Sequence, residues 1–110
     1  MAIPPLTQRT CKPCEGGVAP MGEKEIASSL SQVKGWAYKN NEICKTFKFK
    51  NYYENIAFVN AVAWISHREN HHPTLEVRFR ECTVHYNTHA ISGLSENDFI
   101  CAAKVDALQG

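Results

Sequence analysis

No apolar run in this chain approaches the roughly 20 residues that a membrane-spanning helix needs, so no membrane role is expected. No charge excess stands out either: 12 Lys and Arg oppose 11 Asp and Glu, a formal net charge of +1. That balance lacks the electrostatic footprint that binding to nucleic acid or an anionic membrane surface requires. Residues 1–10 lack the basic-then-apolar order of a secretory leader, and a cytoplasmic address is the expectation. Five cysteines, an odd number without framework spacing, argue against a disulfide scaffold and suit reduced thiols. Hydrophobic residues fill 44% of the 110 positions and charged residues 21%, enough for one modest core and no second domain.

Residues 1–20 are rich in Pro, Gly and Thr and show no periodicity, so they read as an extended or loosely ordered arm before a single domain over 21–110. Cys11-Lys12-Pro13-Cys14 is the one pattern there. Alone it supplies two of the four ligands of a structural zinc, and Glu15-Gly16-Gly17 denies it the helix N-terminus that a redox pair exploits. Two unpaired cysteines in an arm is the plainer reading.

The spacing of Ile26, Leu30 and Val33 predicts a helix from about Glu23, closed by Lys34-Gly35. Trp36, Tyr38, Ile43, Phe47 and Phe49 then alternate around Asn40-Asn41, a β-hairpin with one apolar face. Asn51 and Glu54 can cap a second helix. Its stripe of Phe58, Ala61, Val62 and Ile65, widened by Ile56, Val59 and Ala63, predicts a central packing helix. Pro73 should stop it near Asn70 by disfavouring the helical region at His72. Leu75, Val77 and Phe79 predict a half-buried strand, Val84 and Tyr86 a second, with a turn placed at Glu81-Cys82. Ser95 and Asp98 box the start of a last helix. Its apolar residues run around nearly every side, so a monomer would leave one face exposed, which points to self-association. The order α-β-β-α-β-β-α is that of an α+β domain, a four-stranded antiparallel sheet with helices on one face.

Three of the five histidines fall in His67-Arg68-Glu69-Asn70-His71-His72-Pro73. Imidazole titrates closest to neutrality, so such a cluster suggests proton transfer or metal binding. His67 and His71 have the i, i+4 spacing of helical zinc ligands, although Pro73 places His71 beyond the regular helix. Taken singly, His71 or His72 is equally well explained as a helix-terminal imidazole favoured by the dipole. His85, on the polar side of a strand, reads as a solvated sheet residue, and Trp36 and Phe79 suit a core.

The wider spacing adds more. After Pro73 come five residues to Phe79, nine to His89 and eight to Asp98. This arrangement resembles the motif of the pterin-4a-carbinolamine dehydratases, and the likeness extends roughly from Glu23 to Leu108, including Gly35-Trp36 and Ser92-Gly93-Leu94-Ser95-Glu96. The resemblance implies the same α-β-β-α-β-β-α fold and assembly as a dimer or tetramer. It implies dehydration of 4a-hydroxytetrahydropterin, the product of aromatic amino acid hydroxylases, to quinonoid dihydropterin in tetrahydrobiopterin recycling, with no metal or other cofactor. It assigns catalysis to His71, His72 and His89, with His72 as the acid and the other two binding the ring or acting as base. It makes His67, Trp36, Phe79 and Thr88 substrate-binding. Glu is usual at the first motif position; His67 offers hydrogen bonds there but no fixed negative charge. Asp98 is read only as a helix cap. Some relatives resemble partner-stabilising proteins that hold a transcription factor dimer through the last helix, so a non-catalytic binding protein of the same fold is the alternative.

Overall fold

The computed structural model describes residues 4–13 and 19–109, so Cys14 lies outside the described residues. Helix α1 spans Glu23–Leu30, strands β1 and β2 Ala37–Lys39 and Glu42–Lys48, helix α2 Tyr52–Glu69, strands β3 and β4 Thr74–Val77 and Glu81–Tyr86, and helix α3 Glu96–Ala107. The predicted order holds. The four strands form one antiparallel sheet in the order β1-β2-β4-β3. Ile43 and Phe47 of β2 and Cys82, Val84 and Tyr86 of β4 are buried on one face, beneath Phe58 and Val62 of α2 and the apolar side of α3. The strand alternation thus decides which face the helices cover. No helix of the described residues is long and apolar enough to cross a membrane.

Local chemistry accounts for the elements and for where they stop. Asn40 and Asn41 both take positive φ, 55° and 62°, the conformation of a two-residue hairpin turn that asparagine tolerates best after glycine. Asn51 caps α2 by accepting from the Glu54 N–H at 2.9 Å. Helix α1 ends at Leu30, earlier than the predicted Lys34-Gly35. The Ser31 hydroxyl bonds the Ser28 carbonyl at 2.6 Å, a local alternative to continued helix, and Gly35 serves a later turn at φ 88°.

Three further expectations change. The broad stripe on α2 is narrower than its pattern suggests: only Asn55, Phe58 and Val62 are buried, and Ala63 and Trp64 face outward. The β3–β4 turn lies at Arg78–Arg80, not Glu81-Cys82, because the buried Asn55 amide donates to the Arg78 and Glu81 carbonyls at 2.7 and 3.0 Å and clamps it there. Cys82 consequently sits inside β4. Finally, α3 has no open apolar face of the kind predicted. Phe99, Ile100, Cys101, Ala102 and Val105 are buried, and the arm covers what the sheet leaves, with Leu6 buried and Cys11 against Cys101. Self-association through an exposed α3 loses its premise.

Candidate active site

The end of α2 aims the histidine pair. Asn70 leaves the helix in the left-handed region (φ 51°, ψ 42°), and the N–H groups of Asn70 and His71 both reach the Ser66 carbonyl. The chain then passes through His72 and Pro73, outside helix and strand, into β3. His71 packs its ring parallel to Tyr86 of β4, with centroids 5.8 Å apart and planes 10° apart. Burial, and after it the neighbouring Cys101 and Cys11 thiols, push the Tyr86 phenol well above its ordinary range, so this platform stays neutral.

Asp98, wholly buried at the start of α3, is the polar centre of the site. Its Oδ1 lies 2.6 Å from His71 Nε2. Its Oδ2 accepts from the Thr88 hydroxyl at 2.8 Å and the Ser95 N–H at 3.0 Å, while Thr88 and Ser95 share a further hydroxyl bond at 2.7 Å. A carboxylate only accepts, so the His71 Nε2 facing it carries a proton, and Nδ1 makes no hydrogen bond among the described residues. One aspartate therefore caps α3, anchors Thr88 after β4 and orients His71 after α2.

A cavity of about 460 Å³ opens beside this network. His71, His72, Thr88 and His89 all line it, together with Arg68, Glu69, Asn70, Asn87, Ala90 and Asn97. His72 and His89 are exposed to it, His89 from a 3-10 turn, His89–Ile91, that follows β4. The arm supplies the remaining described wall through Cys11, Lys12 and Pro13. Glu69, the last residue of α2, ties arm to helix. Burial disfavours its charge, but the Cys11 N–H at 2.9 Å and the Lys104 ammonium at 2.7 Å outweigh that and hold its carboxyl below the ordinary range. Contact with the Cys101 thiol at 3.5 Å, then burial, pushes the Cys11 thiol far up, so it is protonated at neutral pH.

The other expected site residues lie elsewhere. Trp36 is buried against Phe47 and Tyr86, and its indole N–H donates to both oxygens of Asp106 at 3.1 Å. Phe79 is 64% exposed at the β3–β4 turn, stacked on Tyr52. His67 is exposed on α2 beside Trp64, one turn before the site. With α2 ending at Glu69, His67 and His71 do not present a helical i, i+4 pair, and among the described residues no three His, Cys, Asp or Glu side chains group as metal ligands. His85 is held on the outer sheet face between Glu76 at 2.6 Å and Glu42 at 3.1 Å. Reasoning from sequence missed the Asp98 contact, although Asp98 closes the spaced motif; nothing in the sequence signalled that Lys12 and Asn97 belong to the cavity.

Known proteins share this architecture. The chain is 61% identical over 104 residues to a Nitrosomonas europaea protein provisionally named pterin-4-alpha-carbinolamine dehydratase, covering 94% of this chain and 92% of that one. A Nitrosospira multiformis protein with the same provisional name is 58% identical over 106 residues, covering 96% and 94%. The fold superposes on the crystal structure of a transcriptional coactivator/pterin dehydratase from Brucella melitensis with a TM-score of 0.80 at 27% identity, covering 83% of this chain and 99% of that one. A pterin dehydratase-like protein identified as a RuBisCO assembly factor in the alpha-carboxysome matches with a TM-score of 0.58 at 26% identity, covering 68% and 87%. Residues 19–108 match the family profile described as pterin 4 alpha carbinolamine dehydratase, and the chain belongs to that family.

Proposed function

We propose that the protein is a 4a-hydroxytetrahydropterin dehydratase, a hydro-lyase whose acid and base are histidines. The supporting observation is the carboxylate-anchored His71 beside two exposed histidines, His72 and His89, around one cavity. Dehydration removes the hydroxyl from C4a and the proton from N5, leaving a C4a=N5 double bond and water. Neutral imidazole at His71 Nδ1 takes the N5 proton, while Asp98 behind Nε2 stabilises the imidazolium that forms, as a buried carboxylate does for any histidine base. His72 donates a proton to the departing hydroxyl, and His89 holds the ring from the opposite element. Each positioned proton-transfer group typically contributes ~10²–10⁴-fold.

On family grounds the proposal extends to cytoplasmic tetrahydrobiopterin recycling, in step with an aromatic amino acid hydroxylase, and to assembly as a homodimer or tetramer. The names of two structural neighbours, a coactivator and an assembly factor, support the second reading of a partner-binding protein without turnover. Purified protein assayed on 4a-hydroxytetrahydropterin separates the two. Accelerated dehydration, lost on His72→Ala in protein that stays folded, is the expected result. No acceleration at any protein concentration would leave only the binding role, and wild-type rates in His72→Ala would place the acid elsewhere.

A further inference from the structure

Most of the arm precedes residue 19, where the family profile begins, yet it is bolted to the site. Leu6 is buried, and the Cys11 N–H binds Glu69. The Asn97 side-chain amide pairs with the backbone of Lys12 as a second peptide would, accepting from its N–H at 3.0 Å and donating to its carbonyl at 2.6 Å. These bonds fix the Lys12 backbone at the cavity wall and leave its side chain uninvolved.

Among the described residues, the charges around the cavity do not balance. Its charged lining consists of Lys12, Arg68 and Glu69, besides the histidines. Glu69 is already neutralised by Lys104, and Asp98 faces His71. Lys12 and Arg68 are exposed, and neither has an ion-pair partner among the described residues. Two cations without a partner among the described residues thus line a cavity within the volume range of ordinary small-molecule sites. A bare pterin ring offers them no anion.

We propose that the arm forms one wall of the substrate cavity and that Lys12 and Arg68 select pterins whose side chain carries an anion, a phosphate ester or a carboxylate. The inference rests on the dehydratase reading for the ring and adds the class of side chain. A solvent-exposed ion pair contributes up to roughly fivefold in affinity, so two together favour an anionic substrate on the order of tenfold.

The test compares kcat/KM for three 4a-hydroxytetrahydropterins, bearing a neutral dihydroxypropyl chain, its phosphate ester, or a carboxylate. Wild type, Lys12→Gln, Arg68→Gln and the double variant are measured with each. The anionic-to-neutral ratio should be about ten in wild type, carried by KM, and should approach one in the double variant and at high salt. Preference for the phosphate ester over the carboxylate identifies a phosphate site; equal preference identifies a general anion site. A wild-type ratio near one, or a ratio that the double variant retains, overturns the inference. The same ratio is read independently from equilibrium binding of the stable 7,8-dihydropterins with these side chains. Anion-selective binding without any turnover would sink the dehydratase reading alone; turnover without selectivity would sink only this one.

Discussion

Asp98→Asn isolates the orienting carboxylate with little change in shape. Two donors, the Thr88 hydroxyl and the Ser95 N–H, converge on Oδ2. The asparagine oxygen must stay there to satisfy them, which turns the amide NH₂ toward His71 Nε2, 2.6 Å away in the wild type. Two donors cannot face each other, so His71 must carry its proton on Nδ1 and present Nε2 as the acceptor. The nitrogen proposed to take the N5 proton is then already protonated. A hydrogen bond to a charged group contributes about 1.5–3 kcal/mol, and each 1.36 kcal/mol is tenfold in rate. The lost charge alone predicts roughly a ten- to hundredfold fall in kcat, and the wrong tautomer adds to it. Every buried donor keeps an acceptor, so stability falls by no more than about 3 kcal/mol, and the protein stays folded at ordinary stabilities of about 5–15 kcal/mol. Initial-rate dehydration gives kcat, thermal melting confirms the fold, and nitrogen NMR of the His71 ring reports the tautomer. A kcat within about twofold of wild type, with the tautomer switched as described, would refute the reasoning and reduce Asp98 to a helix cap.

Two further substitutions test the rest of the frame. Trp36→Phe removes the indole N–H that binds Asp106 and leaves a small void against Phe47 and Tyr86; a loss of about 1–3 kcal/mol in urea unfolding, with kcat/KM little changed, is expected. A raised KM at unaltered stability would return Trp36 to the substrate site. Glu69→Gln tests the arm's attachment through pH. The folded carboxyl titrates below the ordinary value of 4.5, so its stabilisation is present above that value and is lost as pH falls through the folded one. Wild type should exceed the variant in stability by a constant margin from neutrality down to about pH 5, and the margin should close in more acid solution. A margin that persists in acid would mean that charge plays no part in holding the arm.

Elements governed by local rules could be read from the chain. Asn40-Asn41, the Asn51 cap, the Ser95–Asp98 box and the exit at Asn70 each follow from what one or two residues do to their own backbone. Burial was legible only where one face is apolar. The wide stripe on α2 misled because Ala63 is tolerated at the surface and Ile56, Val59 and Ile65 are only half-buried, whereas a polar residue, Asn55, takes a core position to hold a distant turn. The apolar girdle of α3 was legible, but the pattern alone implies a face left open on a monomer. Its second cover came from the chain's own arm, whose lack of periodicity hid the buried Leu6.

The site shows the same division between spacing and chemistry. The intervals from His71 to His89 and Asp98 reflect how many residues it takes to cross β3, turn, return along β4 and enter α3, so a motif scattered in sequence closes into one cavity. Phe79 shares that spacing because it marks the far end of the β3–β4 excursion, and it lies away from the cavity lining, packed on Tyr52 at the turn. Asp98 carried two roles that one signal could not separate: a capping carboxylate has two oxygens, and only Oδ2 faces Ser95. Where the second oxygen points depends on Asn70 turning the chain back toward α3, a long-range fact absent from any local pattern. The dense cluster that begins at His67 is therefore misleading in a specific way. Its helical member faces solvent, and His71 takes its neighbours from α3 and β4 rather than from the cluster itself.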